Sequence, residues 1–342
     1  MEIVITGIGS LPLRNVDEAI DLIFCTCPEI PFWPQLPKRS KKENMYSPFI
    51  EGVPFFVTTE DGAVYVDEER ETDLDDYLAL IEDEKVDAFS INEDLIPGFY
   101  RLLERFKEVD ATSKAVKTQI TGPISMAMGI KDKKGVPVIY NDFLFDIVKR
   151  TLNMRAKWMI RELKKCAPQK EVVIFFDEPY LVAYGSIYFS FSKERIMEAL
   201  EEVGRGLQAK KGVHCCGNTD WSLVLKTSLD IVNYDAYSFL ESMFLHIKEL
   251  ENFLDRGGMI SPGVIPSTED IRKTEMDNVK KILSTFFKEL ILLGRERSRD
   301  RIIVTPSCGL GGLQVDEAKK AMKMLKQVPS LVSEIFDKEC PS

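Results

Sequence analysis

Short β-rich apolar runs recur along the chain between long amphipathic stretches, and this alternation restricts the fold more than any other feature. The runs are EIVITGIG (2–9), DAFSI (87–91), AVKTQI (115–120), EVVIFFD (171–177), GVHCC (212–216), IVNYDAYS (231–238), MISPGVI (259–265) and RIIVTPS (301–307). Strands separated by helix-length segments pair in parallel through crossovers. The intervening segments show helical spacing, with Ile196, Leu200, Val203 and Leu207 on one face and Val315, Ala318, Met322 and Leu325 on another. Eight such units predict an α/β fold of the (β/α)8, or TIM barrel, type. The interval between the first two runs is too long for one helix. Within it, FFVTTEDGAVYVDEE (55–69) places Asp61-Gly62 between alternating stretches. That pattern predicts a β-hairpin inserted between strands 1 and 2 over one mouth of the barrel. No internal repeat and no Gly/Ser-rich linker divides the 342 residues, so a single domain spanning 1–342 is expected.

Composition narrows the function. A formal net charge of −10 opposes sequence-independent binding to nucleic acid or to an anionic membrane, which depend on clustered Lys and Arg. The basic run KRSKK (38–42) reads as a solvated loop. MEIVITGIGS has neither a basic leader nor a long apolar stretch, which predicts a cytoplasmic protein. Seven cysteines, an odd number without small-scaffold spacing, argue against a disulfide framework.

The chemistry concentrates in KGVHCCGNTD (211–220), which holds one of only two histidines. Residues two apart in a strand share a face, so His214 and Cys216 project together and Cys215 points the other way. Gly217 and Asn218 end the run, placing the pair at the carboxyl end of a strand, where barrel enzymes keep their active sites. The last run ends in TPSCGLGG (305–312), which brings Cys308 to the same mouth. One His and two Cys supply three of the four tetrahedral positions that zinc prefers. The competing reading is a small buried hydrophobic strand with a hydrogen-bonded core histidine. Cys25, Cys27, Cys166 and Cys340 read as packing or exposed thiols, and His246 as a helix-face residue.

These motifs, GIGSLP, QITGPIS, FFDEPYL, HCCGN and PSCGL, stand in an order and spacing that resembles the catalytic barrel of cobalamin-independent methionine synthases, within the uroporphyrinogen decarboxylase-like superfamily. The resemblance runs from residue 4 to about residue 313. It implies Zn2+ held by His214, Cys216 and Cys308, with Asp235 in IVNYDAYSF where the family carries a glutamate, and Glu241 as a weaker substitute. It further implies homocysteine as the methyl acceptor. The amino acid head would be held by the backbone of Ile8, by Ser10 and by Asp177, with Glu43 as a counterpart of a family glutamate, while Glu178 would only brace its loop.

Three absences bear on the donor. The chain has one barrel where the full family has two, Leu181, Val182 and Ala183 stand where the family carries an acid toward folate, and the loop SPGVIPSTED lacks a histidine. Release of tetrahydrofolate requires protonation of its leaving nitrogen. The expectation is therefore a methylated corrinoid, methylcobalamin or a corrinoid protein, as donor. Rival readings are a corrinoid-dependent methyltransferase acting on another thiol such as coenzyme M, a metal-free decarboxylase, and a zinc-binding regulatory protein. The paired arginines expected of a decarboxylase are absent from PFWPQLPKRS.

Overall fold

The computed structural model describes residues 3–108, 113–186, 189, 191–294 and 302–339. Its strands are β1 (Val4–Ile5), β2 (Phe56–Thr58), β3 (Val64–Val66), β4 (Ala115–Thr121), β5 (Lys131–Asp132), β6 (Glu171–Asp177), β7 (Lys210–Cys215), β8 (Ile231–Asp235), β9 (Met259–Ile265) and β10 (Ile303–Pro306). Seven of them form one parallel sheet in the order β1-β10-β9-β8-β7-β6-β4, curled into a half-barrel. Every residue of β4, β8 and β9 is buried, as expected of strands covered on both faces. Helices clothe the outside, the longest being Asp142–Cys166 and Val315–Glu339. The first of these starts where the Asn141 side chain accepts the N–H of Leu144 at 3.2 Å.

Strand alternation stratifies the concave side. Ile30, Ala115, Val173, Phe175, Ile231, Met259 and Ile303 make an apolar floor. Two residues further along β4, β8, β9 and β10 stand Lys117, Asn233, Ser261 and Thr305, all fully buried and all polar. The site lies above this polar layer, at the carboxyl ends of the strands.

Six of the eight expected runs contain the strands β4 and β6–β10 to within a few residues, and β1 falls inside the first. Arg301, at the start of the last run, lies outside the described residues. DAFSI (87–91) is not a strand. Val86–Phe89 is a 3-10 turn, and Phe89 packs with Ile81 and Met154 on the outside of the sheet. Its alternation records one-sided burial against helices, which a period of two cannot distinguish from a sheet edge.

A different segment spans the gap between the outer strands. The Lys114 and Ala115 N–H groups donate to Glu29 O (2.8 and 3.1 Å) and Lys117 N–H to Pro31 O (2.9 Å), while Gln35 N–H donates to Gly9 O (3.1 Å) and accepts at its carbonyl from Leu11 N–H (2.9 Å). Only isolated bridges form there, Phe32 with Lys117 and Ser10 with Gln35. Pro31 and Pro34 lack the N–H groups a continuous ladder needs, so the segment PFWPQ has no strand signature.

Between β1 and β4, β2 and β3 pair antiparallel with Phe56 opposite Val66 and Thr58 opposite Val64, and β5 adds to β3 in parallel. Gly62, at φ 82°, turns the chain between them. Its carbonyl accepts from Asn44 Nδ2 and Ser47 Oγ, both at 2.7 Å, which ties this turn to the segment that carries Glu43. Among the described residues no helix is long and apolar enough to cross a membrane.

Candidate metal centre and substrate pocket

β7 ends at Cys215, and Cys216 follows on the face of His214. Cys308 arrives from the loop after β10. One ligand atom from each of His214, Cys216 and Cys308 lies within 4.8 Å of the other two. Cys215 points away, fully buried among apolar side chains. The convergence expected from alternation is therefore present in space.

The histidine is oriented from the polar layer. His214 Nδ1 donates to Asn233 Oδ1 at 2.5 Å. The Asn233 amide is itself fixed, since its Nδ2 donates to Ser261 O, Ser261 Oγ and Thr305 Oγ1, each at 2.8 Å. Its oxygen can then only face His214, which puts the imidazole proton on Nδ1 and leaves Nε2 as a bare lone pair. His214 Nε2 is buried and without a hydrogen-bond partner. A buried nitrogen lone pair beside two thiols fits a soft divalent cation, and zinc takes this donor set.

Protons are shared within the group. The hydrogen bond from Cys308 holds the Cys216 thiol down to about 4 against its burial, with His214 assisting. That same bond, and then burial, pushes Cys308 up. Burial pulls His214 down, but the neighbouring Cys216 and the Asp177 charge outweigh it and the net direction is upward.

Asp177 closes β6 beside His214 in the strand register. Burial pushes its carboxyl up to about 6, with His214 and Lys117 opposing and Cys216 adding to the shift. Its Oδ1 is buried without a partner. Ile8, Ser10, Glu43, Asp177, His214, Cys216 and Cys308 all line one cavity of about 450 Å³. The Glu43 carboxylate is occupied, accepting Leu36 N–H at 3.1 Å and Arg39 Nη1 at 2.7 Å; burial pushes its pKa upward. Glu178 faces away from Asp177 and takes the N–H groups of Ile124 (2.9 Å) and Ser125 (2.7 Å) at the start of the helix Pro123–Gly129.

Asp235 is the last residue of β8 and shares the face of Asn233. It lies outside the His214–Cys216–Cys308 group, and its Oδ1 accepts Ser238 N–H at 2.9 Å as the cap of the helix Ala236–Phe239. Burial raises its pKa, and the Cys216 charge adds to that. Glu241 is exposed in the 3-10 turn Leu240–His246. His246 stands 3.7 Å from Asp220 Oδ1, away from this cavity. Of the remaining cysteines, Cys25 is exposed, Cys27 buried and Cys166 half-buried, while Cys340 lies outside the described residues.

Two residues of the site escaped the reading of the sequence, Asn233 and Lys117. Lys117 is fully buried on β4, with Nζ donating to Ile8 O (2.7 Å) and Gln119 Oε1 (3.2 Å) and lying 4.7 Å from the centre of the Phe175 ring. Burial pushes its amine down to about 7, opposed by the Asp177 charge. The signal was present in both cases as a polar side chain inside a buried run, Lys117 in AVKTQI and Asn233 in IVNYD.

A pocket at the carboxyl edge of a curled parallel sheet, lined by an imidazole and two cysteines that could hold a metal ion, is the kind of site that enzymes acting on small molecules carry. The family described as "Cobalamin-independent synthase, Catalytic domain" matches residues 101–330, and the chain belongs to that family. Membership makes it an enzyme of the methyltransferase class. Among solved structures it is similar to a B12-independent methionine synthase from Shewanella sp. W3-18-1, in complex with selenomethionine. That pair shows 17% identity, coverage of 99% of each chain and a TM-score of 0.57. It is also similar to a methyltransferase from Methanosarcina mazei, at 13% identity, with 96% of this chain and 94% of that one covered and a TM-score of 0.54. These likenesses concern the fold. Among curated proteins none matches.

Proposed function

We propose that the protein methylates the thiol of homocysteine, with Zn2+ held by His214, Cys216 and Cys308 and the amino acid head held by Asp177, Ser10 and the backbone around Ile8. One observation carries the reading: two buried polar atoms, His214 Nε2 and Asp177 Oδ1, lack partners and belong to side chains that line the same cavity. The first is a lone pair suited to a metal, the second an anion suited to an ammonium group. A zinc ion in this donor set stabilises a thiolate over a thiol near neutral pH and so makes a substrate thiol a nucleophile.

The chain's own groups supply the rest. Asn233 fixes the histidine tautomer. Asp177 pairs with the substrate ammonium through its buried Oδ1, where the low local dielectric strengthens the pair. Ser10 Oγ, already accepting Gly311 N–H at 3.2 Å, directs its own proton toward the substrate carboxylate. Glu43 holds the loop 36–43 through Arg39 and Leu36 and shapes the cavity wall. Asp235 is assigned the fourth ligand position in the absence of substrate, which requires it to turn from its cap. In this reading the seven strands and the extended segment 31–35 together make an eight-membered barrel, one domain from residue 1 to 342, with the β2–β3 hairpin as its insertion.

The family's description as cobalamin-independent favours a folate-derived methyl donor, and the corrinoid donor expected from the loop sequences finds no support in it. The acceptor half of the reading is independent of that choice. The test is a methyl-transfer assay of zinc-loaded protein that crosses homocysteine and coenzyme M with methyltetrahydrofolate and methylcobalamin. Methionine formation with either donor supports the acceptor assignment; exclusive methylation of coenzyme M overturns it.

A further inference from the structure

The carbonyl groups of the turn Ile8–Ser10 are all held by the protein. Ile8 O accepts from Lys117 Nζ at 2.7 Å, Gly9 O from Gln35 N–H at 3.1 Å and Ser10 O from Leu310 N–H at 2.9 Å. Neither Gly9 nor Ser10 donates its own N–H to a backbone carbonyl among the described residues. In a planar trans peptide the N–H points opposite to the preceding C=O, so anchoring Ile8 O on the buried lysine turns the Gly9 N–H the other way. Two successive amides left free in this manner are donors available to an anion.

Lys117 is an unusual anchor. An ammonium is costly to bury, and a neutral donor would satisfy one carbonyl as well. Gln119 is held with its oxygen toward Lys117 because its Nε2 donates to Trp33 O at 3.1 Å. With two acceptors filled, the third direction of Nζ faces the Phe175 ring, which suits an N–H of an ammonium and not a lone pair. No Asp or Glu forms an ion pair with Lys117 within 4.0 Å among the described residues. Among the described residues its charge therefore has no carboxylate at ion-pair distance, and Asp177 acts on it only from further away.

Resting on the assignment of an amino acid acceptor, we propose that Lys117 is a positioning residue for the substrate carboxylate. It polarises the Ile8–Gly9 peptide and places a positive charge behind the free amides of Gly9 and Ser10. The zwitterion would then be read by two separate elements, Asp177 for the ammonium and the Lys117-backed turn for the carboxylate. A chain with this site discriminates in favour of α-amino acid thiols and against thiols that lack the carboxylate.

Calorimetric titration of the purified full chain tests this with three ligands: methionine, 4-(methylthio)butanoate, which lacks the ammonium, and 3-(methylthio)propylamine, which lacks the carboxylate. Lys117→Met is expected to weaken methionine and the butanoate by roughly tenfold, the worth of one charge-assisted contact, and to leave the amine unchanged or tighter. Lys117→Gln keeps a donor for Ile8 O without the charge, and is expected to show the same selective loss at a smaller factor. It carries the test should the Met variant not fold. Unchanged binding of both carboxylates, or an equal loss for all three ligands, overturns the proposal. If the wild-type protein prefers methionine to neither half-molecule, the acceptor assignment itself is wrong, a result distinct from any behaviour of the variants.

Discussion

His214 Nδ1 lies 2.5 Å from Asn233 Oδ1 on the neighbouring strand, directly opposite it in the β7–β8 register. That contact decides the tautomer of the only histidine in the cavity. Asn233→Leu removes the acceptor at similar volume and frees the ring to rotate or change tautomer. Zinc affinity measured by chelator competition is expected to fall by roughly ten- to a hundredfold, the usual effect of losing an outer partner of a metal-bound histidine. Unaltered affinity would show that the ligand geometry does not depend on this bond.

Asp177→Asn addresses the head of the substrate. The amide keeps the shape but cannot neutralise an ammonium, so KM for homocysteine is expected to rise at least tenfold, while zinc content stays at about one per chain. Steady-state kinetics over homocysteine concentration checks this. A fall in kcat alone, with KM unchanged, would place Asp177 in the chemistry instead of in binding.

Asp235 and Glu241 are separated by burial. Asp235→Ala is expected to weaken zinc binding about tenfold, as removal of a group at or next to the metal does, and Glu241→Ala to leave it unchanged, because Glu241 is exposed beyond the strand end. Chelator competition on both variants measures this. The reverse pattern would transfer the fourth position to Glu241.

Much of this site is legible in the sequence. Strand alternation alone puts His214 and Cys216 on one face, and the late Cys308 follows because every parallel strand of a barrel ends at the same mouth. What the sequence could not show was how the ring between β1 and β4 is spanned. Two prolines remove the ladder from 31–35, and the apolar alternation of 87–91 serves helix packing instead. Lys117 and Asn233 were passed over for a related reason. A polar residue inside a buried strand has no meaning until its neighbours on the adjoining strands are known.

Stability should carry the mark of Glu178. Burial raises its pKa from an ordinary 4.5 to about 7, with the Ser125 and Ile124 bonds opposing. Between those values the folded protein binds a proton that the unfolded chain has released, so stability must fall as pH rises from about 4.5 toward 7. Thermal unfolding at pH 5 and pH 8 is expected to show a larger loss for the wild type than for Glu178→Gln, which does not titrate. Equal losses would mean that Glu178 is ionised throughout.

The central claim is that two cysteines and one histidine hold a zinc ion that a substrate thiol can join. Zinc K-edge X-ray absorption of the zinc-loaded protein tests it most directly. The account predicts two sulfur neighbours at about 2.3 Å with the remainder nitrogen or oxygen, becoming three sulfurs on addition of homocysteine, and loss of one sulfur in Cys308→Ser. A spectrum without sulfur, or a sulfur count that homocysteine leaves unchanged, would contradict it.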